Sequence, residues 1–146
     1  MSYVLPPDPQ PCIVCTDWAA DPDVRIFENE HAIGLVSARP RADGAAVVFP
    51  RAHAHSPSAL TVAQTAGLWR AVHAVTLAIE AVFDPDGMHT WHDIGTETDA
   101  SFTHLTVDIV PRHHDVAYRY RPYADLPEAG RDERIAAARR LREAVR

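Results

Sequence analysis

A chain of 146 residues, 47% hydrophobic and 23% charged, is long enough for one globular domain with a real core, and no second domain is expected. The formal net charge of -6 argues against a nonspecific nucleic-acid binder, whose affinity for a polyphosphate backbone rests on accumulated Lys and Arg. Apolar segments are interrupted by His, Arg, Thr or Glu, and Met1-Ser2-Tyr3-Val4 lacks the basic start and apolar run of a signal peptide. A soluble cytoplasmic protein with no membrane partner is the expectation.

Residues 1–11 read as an extended proline-rich arm, because each proline removes an amide donor and fixes its own φ. The arm leads to Cys12 and Cys15, the two cysteines of the chain, whose spacing admits a zinc half-site, a redox pair or two unrelated thiols. Val24 to Glu28 and Ala32 to Val36 read as strands around a turn at Asn29-Glu30. Ala45 to Phe49 is a third, entered through Asp43-Gly44 and ended by Pro50, so an antiparallel meander is predicted.

Thr61 to Phe83 carries the clearest helical signal: Leu68, Val72, Val75, Ile79 and Val82 recur at three- and four-residue steps, and Thr61 with Gln64 forms a capping box. Met88 to Asp93 is the next predicted strand, and Thr96 to Ser101 a polar loop. From Glu128 a second helix is amphipathic through Ile135, Ala138, Leu141 and Val145. Its arginines alternate with Asp132, Glu133 and Glu143, the pattern of a solvated face rather than a nucleic-acid patch.

Between these helices lies Thr103-His104-Leu105-Thr106-Val107-Asp108-Ile109-Val110-Pro111-Arg112. Leu105, Val107 and Ile109 alternate with His104, Thr106 and Asp108, which predicts a strand over 103–110 with one apolar and one polar face. The pattern resembles the His-φ-His-φ-His-φ-φ signature of the histidine triad (HIT) superfamily. His104 keeps the first position, Thr106 stands where the family carries its nucleophile, and Asp108 holds the third. The resemblance extends over about residues 12 to 146 through Cys12-Ile13-Val14-Cys15, Pro50-Arg51-Ala52-His53 and the helix before the triad strand. It implies an α+β fold, a small antiparallel sheet with one long helix and a C-terminal helix, usually built into a homodimer.

Zinc-bearing relatives take two ligands from the Cys-x-x-Cys pair, one from the Pro-basic-x-His element and one from the first triad histidine. The resemblance therefore implies one structural Zn2+ per chain on Cys12, Cys15, His53 and His104, with His55 the substitute if the loop is shifted. In active relatives the middle histidine attacks an α-phosphorus. Thr106 cannot do so without a base to take its proton.

The family's ribose contact corresponds to Ser37, its phosphate-side Asn to Asp93, and its Gly-Gln to Asp99-Ala100, while Ser101 keeps the expected type. Asp93 and Asp108 would meet a phosphate unfavourably. Strand alternation groups His89, Trp91 and Asp93 beside Thr106 and Asp108, and His89 or His92 is suited to proton transfer near neutrality. The sequence thus predicts a repurposed enzyme acting by acid-base chemistry on a small molecule. A non-catalytic ligand-binding dimer and a residual nucleotide phosphoramidate or dinucleoside polyphosphate hydrolase are the alternatives.

Overall fold

In the computed structural model, which describes residues 3–5, 8, 11–95 and 103–146, five strands form one antiparallel sheet. They are β1 (Arg25–Glu28), β2 (Ala32–Val36), β3 (Ala46–Pro50), β4 (Gly87–Trp91) and β5 (Val107–Arg112), in the spatial order β1-β2-β3-β5-β4. Helices α1 (Val62–Phe83) and α2 (Arg131–Ala144) complete an α+β architecture. The first three strands are the predicted meander. The Asn29 carboxamide oxygen closes its first turn by accepting from the amides of His31 and Ala32 at 2.8 and 2.9 Å.

Cross-strand partners share a face, so the register divides the sheet into two chemistries. Ala32, Val36, Ala46, Val48, Val107 and Ile109 look toward the helices and join Leu68, Val72, Val75 and Ile79 of α1 and Ala138 and Leu141 of α2 in the larger core. Gly34 lies in the same layer, and a Cβ there would stand 2.7 Å from Val75 Cγ2, so glycine lets the helix approach the sheet. On the opposite face Ile33, Leu35, Val47 and Phe49 gather Cys12, Val14 and Val24 into a second core. This smaller core seats the cysteines.

The predicted capping box is present. Gln64 N–H donates to Thr61 Oγ1 at 3.2 Å, and Thr61 N–H donates to Gln64 Oε1 at 2.9 Å. By length and composition α1 would suffice to cross a bilayer, yet its apolar stripe is packed on the sheet as the central core helix.

Several boundaries differ from expectation. The triad segment is not a strand from residue 103: β5 begins at Val107, and His104 and Thr106 precede it. Pro50, predicted to stop β3, is its last residue. The strand read as Met88 to Asp93 is Gly87–Trp91, and the second helix starts at Arg131 rather than Glu128. A π-helical turn, Val14–Trp18, follows the first cysteine where no element was predicted. The polar loop at 96–101, with Ser101, Asp99 and Ala100, lies outside the described residues.

Candidate metal centre and adjoining polar face

Three separate pieces of chain bring four donor side chains together. The turn after the arm is held by Thr16, whose N–H and Oγ1–H both donate to the Cys12 carbonyl, at 3.0 and 2.9 Å. That turn presents Cys15 beside Cys12. The segment after β3 is clamped to the triad segment by the Leu105 N–H, which donates to the Ala54 carbonyl at 2.6 Å. This backbone bond places His53 next to His104, their rings edge to face with centroids 5.1 Å apart.

The Cys12, Cys15, His53 and His104 donor atoms all lie within 4.8 Å of one another, the only such group of three or more among the described residues. His104 Nδ1 stands 3.7 Å from Cys12 Sγ and 3.3 Å from Cys15 Sγ, and His53 Nδ1 is 3.4 Å from Cys15 Sγ. Zinc bond lengths of about 2.3 Å to sulfur and 2.0–2.1 Å to nitrogen put mixed donors of a tetrahedron about 3.5 Å apart. The observed separations fit that geometry, so the four residues could hold a metal ion. His55 is not part of the group; its ring meets Tyr3 edge-on at 6.4 Å.

Both imidazoles are oriented for ligation through Nδ1. His104 Nε2–H donates to the Pro50 carbonyl at 2.8 Å, and His53 Nε2–H to Asp8 Oδ2 at 3.2 Å, which leaves each Nδ1 lone pair aimed at the thiols. Burial holds the His104 pKa below the ordinary imidazole range, against the opposing pull of the Pro50 carbonyl. Burial thus favours the neutral ring, the form that ligates a metal. The Cys15 thiol is pushed up to about 11, first by burial, then by its hydrogen bond to Cys12, the Cys12 charge and Asp8. Capture of a cation at that sulfur expels a proton.

Beyond the cluster the same sheet face becomes polar. Trp91 is directly opposite Asp108 in the ladder, while His89 is opposite Val110, one diagonal step away. Thr106 lies two residues before Asp108, roughly 7 Å along an extended chain. His92 is exposed just past β4, Asp93 is half-buried, and Ser37 is buried at the end of β2.

Two aromatic layers cover part of this face. The His89 ring packs against Trp91 and Tyr118 at 5.7 and 5.2 Å, and the Arg41 guanidinium lies over Trp91 and Tyr120 at 5.4 and 5.2 Å. Tyr123 is close enough to Asp108 for the carboxylate to reinforce burial in raising its phenol pKa. Sequence reading missed Asp8, Arg41 and Tyr123 as parts of these sites. No spacing signal marks Asp8 or Arg41, which reach their partners across a long stretch of chain, and the alternation of Tyr118, Tyr120 and Tyr123 with basic residues suggests a subunit interface rather than this site.

A five-stranded α+β sheet whose outer face carries two cysteines and two Nδ1-directed histidines defines a candidate metal-binding fold. The HIT domain model matches residues 19–115, and the chain belongs to the HIT family. Protein hit of Bacillus subtilis (strain 168) is 27% identical over 103 residues, covering 70% of this chain and 71% of that protein. Two solved structures share the fold. A hypothetical histidine triad nucleotide-binding protein from Sulfolobus tokodaii strain7 is 21% identical, with a TM-score of 0.76 and 91% of each chain covered. A Zn-bound histidine triad family protein from Mycobacterium smegmatis is 23% identical, with a TM-score of 0.73 and 92% of each chain covered.

Proposed function

We propose that this chain is a zinc-containing HIT-family protein that has lost the family's nucleotidyl-transfer step and handles a small molecule by acid-base chemistry in the adjoining pocket. The observation that carries the metal assignment is the convergence of two thiols and two imidazoles, with donor atoms all within 4.8 Å of one another and three S–N separations of 3.3, 3.4 and 3.7 Å. Four protein donors leave no open coordination position, so zinc here is structural, tying the arm and the π-helical turn to the sheet.

The pocket reading rests on Thr106 at the nucleophile's position with Asp108 beside it, facing Trp91 and near Tyr123. Asp108 is the proposed base. His89 or His92 and Asp93 are its proposed partners, with Thr106 as a polar contact and Ser37, Trp91 and Ser101 around the ligand. The Arg41-Trp91-Tyr120 stack, which fills part of the face, favours a second reading, a non-catalytic ligand-binding protein. A homodimer belongs to the same proposal, supported by the outer position of β4, exposed at Gly87, His89 and Thr90. A solution mass equal to a single 16.1 kDa chain would count against it. The free thiols suit the cytoplasmic placement proposed with it.

Incubation of the zinc-replete protein with adenosine phosphoramidate and with a dinucleoside polyphosphate, followed by mass spectrometry against a buffer blank, is expected to give no enzyme-dependent product. Thr106→His is expected to leave that result unchanged, because Ser37 and Asp93 also depart from the family's pocket. Turnover by the unmodified chain would restore the family reaction and remove the proposed one. On a substrate that is turned over, Asp108→Asn should lower kcat by about 100-fold or more while metal content stays constant.

A further inference from the structure

The two histidines of the cluster are held in different ways. His104 is 3% exposed, and its outer nitrogen is fixed by a backbone carbonyl, an acceptor that any residue supplies. His53 is at the surface, and its outer nitrogen is fixed by a side chain, the Asp8 carboxylate, which comes from the proline-rich arm 45 residues earlier. A carboxylate that accepts the second N–H of a ligating imidazole selects its tautomer, fixes its ring plane and raises the basicity of the ligating nitrogen.

We infer that Asp8 is the positioning residue for metal binding at His53, and that through it the proline-rich arm is part of the metal centre. This rests on the reading of Cys12, Cys15, His53 and His104 as a zinc site. The course of the arm agrees with it. Tyr3 packs against His55, and a Cβ on Gly95 would lie 3.0 Å from the Val4 carbonyl oxygen and 3.7 Å from Tyr3 Cβ. Gly95 adopts φ +82°, and having no side chain it leaves room for the arm. The arm therefore passes Gly95 at Val4 and His53 at Asp8 before entering the cluster at Cys12. The hold of the His53 imidazole on Asp8 would tighten with a cation on Nδ1, which would polarise the Nε2–H toward the carboxylate.

The test is the zinc affinity of the full chain, measured by competition with a chromophoric chelator for the unmodified protein and for Asp8→Ala, Asp8→Asn and Asp17→Ala. Asp17 is an exposed acid two residues from Cys15; the Thr16 hydroxyl shares its one proton between Asp17 Oδ1 and the Cys12 carbonyl, at 2.9 Å each, so the turn keeps its bond to Cys12 when the acid is removed. Removing it deletes the same charge near the cluster without touching a histidine. Asp8→Ala is expected to weaken zinc binding by roughly 10- to 100-fold. Asp8→Asn, whose carboxamide oxygen still accepts the Nε2–H, falls between it and the unmodified chain. Asp17→Ala matches the unmodified chain, and all four proteins melt together when stripped of metal.

Equal affinities for the unmodified chain and Asp8→Ala would overturn the inference. So would equal weakening by Asp8→Ala and Asp17→Ala, which would reduce the effect to net charge. Failure of the unmodified chain to take up zinc is a different result: it removes the metal site itself.

Discussion

Stripping zinc with a strong chelator is expected to lower the melting temperature by about 10 °C; Cys12→Ser is expected to produce the same loss without chelator, and His104→Ala at least that loss, since it also removes a buried ring. A ligand present at 100 to 1,000 times its dissociation constant stabilises the folded state by roughly 3–4 kcal/mol, and about 2–4 °C accompanies each kcal/mol in a domain near this size. Cys12 and His104 are the buried members of the cluster, so their replacement leaves the other ligands facing a site open on its inner side.

The chain has a large core independent of the metal, unlike a zinc finger, and the stripped protein should still unfold cooperatively. Metal content by mass spectrometry and thermal melts with and without chelator decide the matter. One zinc per chain and a lowered melting point are expected; a protein indifferent to chelation and free of zinc would refute the assignment. Affinity should also fall as pH is lowered from neutrality, because acid opposes loss of the Cys15 proton, whose thiol pKa is pushed up to about 11.

Phe49→Ala is expected to destabilise the protein by about 3–5 kcal/mol even in the metal-free form. Phe49 is 0% exposed in the second core, between the Trp18 ring at 6.2 Å and the edge-on His104 ring at 5.9 Å. Truncation removes a whole buried ring from between the sheet and the π-helical turn, leaving a cavity that the flanking strands cannot close without breaking their ladder. The same change loosens His104, so zinc affinity should fall with stability. Val62→Ala provides the contrast: Val62 is 87% exposed at the start of α1 and its truncation should stay within about 0.5 kcal/mol. Denaturant titration in chelator separates packing from metal loss, and coincident curves for Phe49→Ala and the unmodified chain would show that the second core carries no such load.

The triad segment departs from its sequence pattern where other segments claim its hydrogen-bonding groups. Alternation from Thr103 to Ile109 describes burial correctly at Leu105, Val107 and Ile109, yet the ladder with β3 begins only at Val107 opposite Val48. Pro50 has no amide to donate, and its carbonyl is taken by the His104 imidazole. Leu105 N–H is taken by Ala54. These claims come from other segments, and a periodicity cannot register them.

What the sequence by itself determined was local or periodic: the capping box and apolar stripe of α1, the three-strand meander, the identity of the four candidate metal ligands and the HIT family. Each depends on side chains whose spacing directly encodes a face, a cap or a family motif. Only the tertiary structure decided that β5 inserts between β3 and β4, that Trp91 rather than His89 stands opposite Asp108, that the Arg41 guanidinium lies over both Trp91 and Tyr120, and that Asp8 holds His53. Those relations join segments far apart in the chain, where strand order and the packing of two cores set the distance, and no short-range pattern of residue types records it.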